Sequence, residues 1–327
     1  MTSGIDSTKK VRVAVVGAGN FGRNHARVYR ELADADLVGI VDSDPACAAQ
    51  GAKEFATEVF PDIESLAGRA DAASVAVPTV DHARVGCRLL ELGIDVIVEK
   101  PMASSLAEAD QLLAAAKRAN RILQVGHLER FNPGIVAMMP ALNRPLYFEV
   151  HRLGVFTPRS LDIDVVYDVM IHDLDILLAL VDAPVVDIKA IGIPVLTDKV
   201  DIAHARLDFA NGAVANITAS RVSTERVRKL RLFQPQQYCS LDYARQELIV
   251  FSVGGDRQVS FEPVAVTKSE PLQLQFDAFL NSVETRNSPK TSGLRARQTL
   301  RIALAILDKI EEHSEIVSKS LAGGWKL

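Results

Sequence analysis

The stretch VRVAVVGAGNFG, residues 11–22, decides the fold of this chain. A short apolar run is followed by glycines in the spacing Gly-x-Gly-x-x-Gly, and the residues after it favour a helix. In a strand–turn–helix unit, the first glycine permits a tight turn, the second lets a diphosphate approach the backbone, and the third allows close packing. The diphosphate is expected at the helix N terminus, where N–H groups and the helix dipole favour negative charge. The predicted cofactor-binding residues of this loop are Gly17, Gly19, Asn20, Phe21 and Gly22.

Strand-like and helix-like segments alternate after this loop. Apolar runs predict strands over residues 37–41, 72–77, 95–98 and 121–125, and helices are predicted over 23–32, 81–92 and 105–119. Such alternation indicates a parallel, doubly wound sheet with helices on both faces. The glycine motif then lies between the first strand and the first helix, which is the context that a dinucleotide site requires. We predict an α/β dinucleotide-binding domain over residues 1–126.

Asp42 follows the second predicted strand, 20 residues beyond Gly22. An acid at this place accepts hydrogen bonds from the adenosine ribose and repels a 2′-phosphate, so NAD is favoured over NADP. Asp42 and Asp44 are also suited to a turn and a helix cap, because Asp44-Pro45 resembles an N-cap before a proline at the first helical position. The two roles are compatible, since neighbouring residues carry them.

Polar residues follow two further strands. Pro78-Thr79 and Glu99-Lys100-Pro101 come directly after the predicted strands, and ligands of open α/β sheets bind outside the carboxyl ends of strands. Pro101 keeps Lys100 out of helical geometry and permits a cis bond. Lys100 near a cationic nicotinamide is suited to exchange a proton with a substrate hydroxyl. The alternative is a solvated loop lysine.

Composition excludes several classes of protein. The chain has 327 residues, a net charge of −4 and 48% hydrophobic residues, which suits two globular domains and argues against a nucleic-acid surface. Neither a signal peptide nor an apolar run long enough for a membrane span is apparent. Cys47, Cys87 and Cys239 have no metal or redox spacing. We expect a soluble, cytoplasmic protein without a metal site.

Residues 127–327 predict a second, α+β domain with a large open, mostly antiparallel sheet. Strands are expected over 146–153, 185–193, 202–209, 213–220, 227–233, 238–242 and 247–253, and helices over 272–283 and 294–310. Asn211-Gly212 is a strong hairpin signal between two of these strands. An open sheet face of mixed polarity is a natural subunit interface, so we expect a homodimer or homotetramer.

Residues 166–181 predict a helix that is apolar almost all round and therefore buried. Asp168, His172 and Asp175 share one narrow face at spacings i, i+4 and i+7. Buried carboxylates and imidazoles are costly unless they are paired or face a cavity. Asp168 is placed to orient His172, which can take a hydroxyl proton. A satisfied core network and a metal pair without its further ligands are the alternatives.

Two more polar segments are ambiguous. Residues 126–133, GHLERFNP, lie at the predicted domain junction, where a ligand site and a hinge that caps the next helix are both possible. Residues 221–229, RVSTERVRK, form a basic cluster that suits either a solvated strand edge or a diphosphate clamp.

The run from Asp81-His82 through LGIDVIVEKP, residues 92–101, resembles the signature of the Gfo/Idh/MocA oxidoreductase family, and the similarity extends over nearly the whole chain. It implies a Rossmann domain that binds NAD, followed by an α/β domain with a large open sheet. The family's Glu-Lys-Pro lysine, which contacts substrate and assists proton transfer, corresponds to Lys100, and its Asp-x-x-x-His pair to Asp168 and His172. Val166-Tyr167 and Met170 stand where the family commonly has glycines. The cofactor-binding residues expected beyond the glycine loop are Asp42, Pro78, Thr79, His82, Glu99 and Lys100.

Three segments resemble the nucleotide-sugar branch of that family: residues 126–133, DVMIHD at 168–173, and RLF at 231–233. This resemblance implies oxidation of a ring hydroxyl, at C3 of UDP-N-acetylglucosamine, for the 3-amino sugars of lipid A. The alternatives are a dehydrogenase of inositol or another free sugar, and a regulator that binds NAD without turnover. The substrate-binding residues expected with Lys100, Asp168 and His172 are His127, Arg130, Asn132, Arg159, Tyr167 and Arg221.

Overall fold

The structure is a computed structural model, and it describes residues 10–157, 163–255 and 257–322. The chain divides into two compact units by its internal contacts. The first unit contains the chain up to Leu128 together with Glu270–Arg297. The second contains Glu129–Ser269 and the chain from Gln298 onward.

The first unit is built on a parallel sheet of six strands. In chain order these are β1 (Val11–Val16), β2 (Ala35–Val41), β3 (Glu58–Val59), β4 (Ala72–Val75), β5 (Asp95–Val98) and β6 (Leu123–Val125). Every neighbouring pair is parallel, and the spatial order is β3-β2-β1-β4-β5-β6. This is the strand order of a doubly wound dinucleotide-binding fold, so the predicted fold of this part is confirmed. The two-residue strand β3 was not predicted, because two exposed residues carry no pattern.

Four helices connect these strands: α1 (Asn20–Glu31), α2 (Pro45–Glu54), α3 (Thr79–Glu91) and α4 (Leu106–Ala119). Two of these helices begin at a side chain that accepts a hydrogen bond from an N–H group of the first turn. Asp44 accepts a hydrogen bond from the N–H of Ala46, and Ser105 accepts one from the N–H of Glu108. Both are N-cap interactions of the predicted kind.

The second unit is built on an eight-stranded sheet. Its strands are β7 (Tyr147–Leu153), β8 (Val185–Ile193), β9 (Ile202–Phe209), β10 (Val214–Ser220), β11 (Val227–Gln234), β12 (Gln237–Asp242), β13 (Glu247–Val253) and β14 (Val259–Val264). The spatial order is β14-β13-β12-β11-β7-β10-β9-β8, and only the β7–β10 pair among these neighbours is parallel. The large, mostly antiparallel sheet is thus confirmed. Strand β14 was not predicted, because Pro263 interrupts a segment that is almost entirely exposed.

The remaining helical elements are α5 (Pro133–Met138), a π-helical turn (Val166–Met170), α6 (Ile171–Val181), α7 (Pro271–Thr285) and α8 (Gly293–Ala322). Within the second unit, apolar residues of α6 and α8, among them Leu174, Leu177 and Ile306, pack in one core with the alternating buried residues of the sheet. The π-turn replaces the first part of the single helix that was predicted over 166–181. Within the described residues, no helix combines the length and the hydrophobicity that a membrane span requires.

Helix α7 belongs to the first unit, which differs from the predicted second domain of residues 127–327. Its Phe276 and Phe279 are fully buried in the core of the first unit. The ring of Phe276 stacks on Tyr29 of α1, with centroids 4.4 Å apart. The pattern of α7 predicts an amphipathic helix, but only the tertiary structure shows which core receives its apolar face.

Candidate active site

The glycine loop after β1 has the geometry that dinucleotide binding needs. Gly17 has φ +97°, and a Cβ there would lie 2.6 Å from the carbonyl oxygen of Ala76. A Cβ on Gly22 would overlap the carbonyl oxygen of Gly17. Gly19, by contrast, has no atom within 4 Å of a Cβ built on it, so its surface is open to a diphosphate. Gly19 is the N-cap of α1. Because glycine has no side chain to cap the helix, the N–H groups of the helix N terminus are available to an anion. These residues fit NAD.

Two other predicted residues of this loop lie in the first turn of α1. Asn20 is the first residue of the helix, and Phe21 is 61% exposed. An exposed phenylalanine beside an open helix N terminus is a surface that a bound cofactor can cover.

Asp42 lies against the glycine loop. Its Oδ2 accepts a hydrogen bond from the N–H of Ala18 at 2.5 Å, and its Oδ1 accepts one from the N–H of Asp44 at 2.8 Å. Asp44 caps α2 through its contact with Ala46. Asp44 therefore has the predicted cap role, while Asp42 lies at the glycine loop with a turn contact, and its contact with the adenosine ribose stays a prediction.

His82 joins the chain segments that follow β4 and β5. It lies on α3, which starts at Thr79 with Pro78 as its N-cap, and it is 1% exposed. Its Nδ1 is 2.9 Å from the carbonyl oxygen of Pro101, and its Nε2 is 3.0 Å from that of Val77. Burial lowers the pKa of His82, although the two carbonyl groups oppose that shift. Its position supports the loop around Lys100 rather than a direct contact with a cofactor.

Lys100 directly follows Glu99 at the carboxyl end of β5, and the Lys100–Pro101 peptide bond is cis. Lys100 is half-buried. The Glu99 carboxylate accepts the backbone N–H of Lys100 at 3.2 Å and lies 3.2 Å from Nε2 of His25. The carboxyl ends of β1, β2, β4 and β5 lie at one edge of this parallel sheet, so Gly17, Asp42 and Lys100 share that edge.

Asp168 lies in the π-turn, and His172 lies in the first turn of α6. Both are half-buried, and Nδ1 of His172 is shielded from solvent. A π-turn contains more residues than an α-helical turn, and such turns are frequent at functional sites. The predicted face with i, i+4 and i+7 spacing assumed a regular α-helix, so its geometry is altered at Asp168.

Asp175, the third residue of that predicted face, lies in the core of the second unit. It is 2% exposed and pairs with Arg130, whose Nη1 lies 3.4 Å from its Oδ2. Thr299 donates a hydrogen bond to Oδ1 of Asp175 at 3.5 Å. For Asp175 the satisfied core network, which was the alternative to a functional face, is therefore the observed arrangement.

A buried ionic cluster around Arg152 was not predicted. Arg152 donates to both oxygens of Asp173, at 2.7 and 2.8 Å, and to Glu129 at 2.9 Å. Its guanidinium also lies 5.0 Å from the ring centroid of Tyr243. The available signals were Asp173 within an apolar helix and Arg152 inside a strand, but neither one identifies its partner.

His127 and Asn132 lie in the polar segment where the sequence passes from the first unit to the second. Asn132 accepts the N–H of Gly134 as the N-cap of α5, and its amide donates to Glu129 and to the carbonyl oxygen of Tyr243 at 3.1 Å each. Its side chain is thus engaged in positioning the chain. His127 is 2% exposed, and its backbone N–H donates to the carbonyl oxygen of Val125.

Tyr167 is half-buried, and burial together with the charges of Asp164 and Asp308 raises its pKa to about 12. Its hydroxyl therefore keeps its proton at neutral pH and is a hydrogen-bond donor. Arg159 lies outside the described residues.

Arg221 is 7% exposed and pairs with Asp201, with Nε 2.8 Å from Oδ1. Its Nη2 also donates to the carbonyl oxygens of Ile163 and Val200, at 2.6 and 3.1 Å. This arrangement ties the chain before the π-turn to β9 and favours a positioning role over a phosphate clamp. No cluster of three or more potential metal ligands occurs among residues 10–157, 163–255 and 257–322.

Comparison with known proteins gives one family for both units. Residues 11–127 match the oxidoreductase family with an NAD-binding Rossmann fold, and residues 149–234 match the GFO/IDH/MocA C-terminal domain. UDP-N-acetylglucosamine 3-dehydrogenase of Acidithiobacillus ferrooxidans is 36% identical over 92% of this chain and 97% of its own length. A solved structure of that enzyme has a TM-score of 0.88 and covers 93% of this chain and 98% of its own. Inositol 2-dehydrogenase of Acidothermus cellulolyticus is 28% identical over 56% of this chain and 57% of its own length. The chain belongs to the Gfo/Idh/MocA family of NAD-dependent oxidoreductases.

Proposed function

We propose that this protein oxidises the C3 hydroxyl of UDP-N-acetylglucosamine to a ketone with NAD as the oxidant. The observation that carries the proposal is the 36% identity to UDP-N-acetylglucosamine 3-dehydrogenase, which extends through both units over 92% of this chain. The similarity to inositol 2-dehydrogenase covers a smaller share of both chains, so an inositol substrate is the second candidate.

The cofactor site lies in the first unit. Gly17, Gly19 and Gly22 shape the loop for the diphosphate, and Asp42 is the acceptor for the adenosine ribose hydroxyls. NAD, when bound, accepts a hydride at C4 of its nicotinamide. Pro78, Thr79 and Glu99 follow strands at the same sheet edge, so we assign them to the wall of the nicotinamide site.

The proton of the substrate hydroxyl is taken by this chain's own residues. Removal of a hydride from the C3 carbon leaves the hydroxyl proton to be accepted by a base. Lys100 and His172 are the two groups proposed for this step, and Asp168 orients His172. The half-buried state of all three residues supports this assignment, because each is sheltered yet accessible.

The other predicted substrate-binding residues have different proposed roles. We propose that His127 and Tyr167 line the sugar pocket, where the protonated hydroxyl of Tyr167 is a donor to the sugar. Arg130 and Asn132 act through the buried contacts that hold Asp175 and Glu129. Arg221 fixes the chain that leads to Tyr167 and Asp168, and Arg159 is proposed to approach the diphosphate.

We propose that copies of this chain associate through the open face of the eight-stranded sheet as a homodimer or homotetramer. Aromatic rings cross this face from strand to strand, with centroids 4.7 to 5.6 Å apart: Tyr147, Phe233, Tyr238, Phe251 and Phe261. Phe261, at the end of this row, is 56% exposed. A row of partly exposed aromatic rings on a sheet face is typical of an interface.

We propose a cytoplasmic location and a product that serves the 3-amino sugars of lipid A. The three cysteines are free thiols, which suits a reducing compartment. A ketone at C3 is the group that an amino-transfer reaction converts to a 3-amino sugar.

The direct test is to incubate the protein with NAD and UDP-N-acetylglucosamine and to follow the absorbance of the reduced cofactor. Formation of a 3-keto nucleotide sugar, identified by mass spectrometry, is expected. The variant His172→Asn is expected to lose at least about 100-fold in kcat, the usual contribution of a general base, while the Kd for NAD stays unchanged. Turnover of myo-inositol without turnover of the nucleotide sugar would favour the second candidate. Binding of NAD without turnover of either substrate would indicate a regulator.

A further inference from the structure

A hydrogen-bonded series of three polar side chains, Ser74, His25 and Glu99, ends next to Lys100, and the first two of them are buried. The Oγ of Ser74 is 2.7 Å from Nδ1 of His25, and Nε2 of His25 is 3.2 Å from Oε1 of Glu99. Ser74 lies on β4, His25 lies on α1, and their exposed fractions are 0% and 2%. Strand β4, through Ser74, and helix α1, through His25, thus connect to the carboxylate of Glu99 at the end of β5.

The direction of these hydrogen bonds follows from the donor capacity of each group. An ionised carboxylate only accepts, so Nε2 of His25 carries the hydrogen and donates to Glu99. With that tautomer, Nδ1 accepts, and the Ser74 hydroxyl donates to it. The second oxygen of Glu99 accepts the backbone N–H of Lys100 at 3.2 Å. The hydrogen-bonded series therefore ends at the Glu99 carboxylate, and each of its two oxygens accepts a hydrogen bond.

The packing around this series of side chains keeps it in place. The ring of Phe276 meets His25 edge to face, with centroids 4.9 Å apart. A Cβ on Gly126 would lie 2.7 Å from Oε1 of Glu99, so the backbone approaches the carboxylate closely. The titratable groups around this series of side chains are the following: His25 and Tyr29 on α1, His82 on α3, Lys100 next to Glu99, and His127 next to Gly126.

These contacts decide the charge of Glu99. Burial raises the pKa of its carboxyl, but the hydrogen bond and electrostatic interaction with His25, followed by the charge of Lys100, outweigh burial and hold the pKa below its usual value. The carboxylate thus stays ionised at neutral pH although it is enclosed.

We propose that His25 and Ser74 are positioning residues that keep Glu99 ionised beside Lys100 and so determine the pH range of catalysis. This inference rests on the proposed role of Lys100 as a proton acceptor. A negative charge next to an ammonium group favours its protonated form, and loss of that charge favours the neutral amine that accepts a proton. Without the donor on His25, the enclosed Glu99 takes up a proton at a higher pH.

The test is the pH dependence of kcat/KM for oxidation in four variants. Glu99→Gln removes the negative charge next to Lys100. The acidic limb of the kcat/KM–pH profile of this variant is expected to move to lower pH by about one unit, the effect of one neighbouring charge. His25→Leu removes the donor and is expected to move the limb in the same direction. His25→Gln keeps an amide donor at the position of Nε2 and is expected to restore the limb towards that of the parent protein. The double variant His25→Leu/Glu99→Gln is expected to match Glu99→Gln, because both changes act through one charge.

Phe276→Leu is the matched control. It removes packing on the His25 ring but no hydrogen-bond donor, so it is expected to lower the Tm and to leave the limb in place. A shift in Phe276→Leu equal to that in His25→Leu would show that packing alone is responsible and would overturn the proposal. An unchanged limb in both Glu99→Gln and His25→Leu would overturn it as well.

Lys100→Met separates this proposal from the proposed function. If that variant loses turnover while the Glu99 and His25 variants keep the parent's limb, only the positioning role is excluded. If Lys100→Met keeps full turnover, the role of Lys100 in the proposed function is itself excluded. Bound NAD, measured by fluorescence titration, reports on folding of the first unit in every variant.

Discussion

Arg152 and Asp173 form a two-pronged ion pair in the interior of the second unit. Both carboxylate oxygens of Asp173 receive a hydrogen bond, at 2.7 and 2.8 Å, and the side chains of Arg152 and Asp173 are 6% and 0% exposed. Asp173 is the residue after the proposed base His172. The pair therefore fixes the start of α6 to strand β7, and the position of His172 depends on an interaction that has no direct part in the chemistry.

Removal of Arg152 is expected to destabilise the protein strongly. Arg152→Met leaves the buried charge of Asp173 without its counterion and Glu129 with the more distant Arg228 at 3.9 Å, which costs about 3–5 kcal/mol. The free energy of urea unfolding measures this loss. Arg206→Met is the matched control, since Arg206 pairs with Asp208 at 3.0 Å on the surface of the same sheet, and a change below about 1 kcal/mol is expected. Similar losses in the two variants would contradict the assignment.

The glycines of the cofactor loop are expected to respond differently to alanine. Gly19→Ala meets no atom within 4 Å, so the Tm without cofactor is expected to stay unchanged while the Kd for NAD rises at least tenfold. Gly22→Ala forces its Cβ into the carbonyl group of Gly17, so the Tm without cofactor is expected to fall. Calorimetry and NAD titration separate the two effects. An unchanged NAD affinity in Gly19→Ala would argue against a diphosphate at this position.

Asp42 is expected to set the preference for NAD over NADP. Asp42→Ser removes the charge that repels a 2′-phosphate, so the ratio of kcat/KM for the two cofactors is expected to move towards NADP. Asp44→Ser keeps a helix-capping side chain two residues later and serves as the control, with an unchanged ratio expected. If both variants shift the ratio equally, the general charge of the loop is responsible rather than Asp42.

Asp201 is expected to make the second unit sensitive to acid. Burial alone raises the pKa of its carboxyl, but the N–H groups of Leu196, Val195 and Thr197 outweigh burial and hold the pKa well below its usual value. A depressed pKa in the folded state contributes stability above the pKa of the unfolded state, about 3.9, and this contribution is lost as the pH falls further. Between pH 6 and pH 3, roughly the range around that value, Asp201→Asn is expected to lose less unfolding free energy than the parent protein. Parallel pH dependences of the two proteins would contradict this.

The first unit was predictable because its signals are local. Hydrophobic strands, the capping of α2 by Asp44 and the spacing from Gly22 to Asp42 each constrain a short segment, and these segments together indicate a doubly wound, dinucleotide-binding sheet. The hairpin at Asn211-Gly212 is similar, since Gly212 has φ +86° between β9 and β10.

The features that were missed depend on distant contacts. A helical period of 3.6 residues gives no sign of the π-turn, which altered the expected face of Asp168, His172 and Asp175. The basic run that begins at Arg221 has the same composition whether its first residue is exposed or paired with Asp201 in the interior. A single sequence identifies charged residues but does not show which of them meet.

Helix α7 packs in the first unit although it follows most of the second unit in the sequence. This connection limits the order in which the protein can fold during synthesis. Tyr29 and His25 belong to the earliest part of the chain, but the ring that covers them, Phe276, is made more than two hundred residues later. A nascent chain that ends at Leu128 contains all six strands of the parallel sheet and still leaves this surface of α1 uncovered. The nucleotide-binding half is therefore translated first, but its core cannot be completed until all eight strands of the second unit have been made.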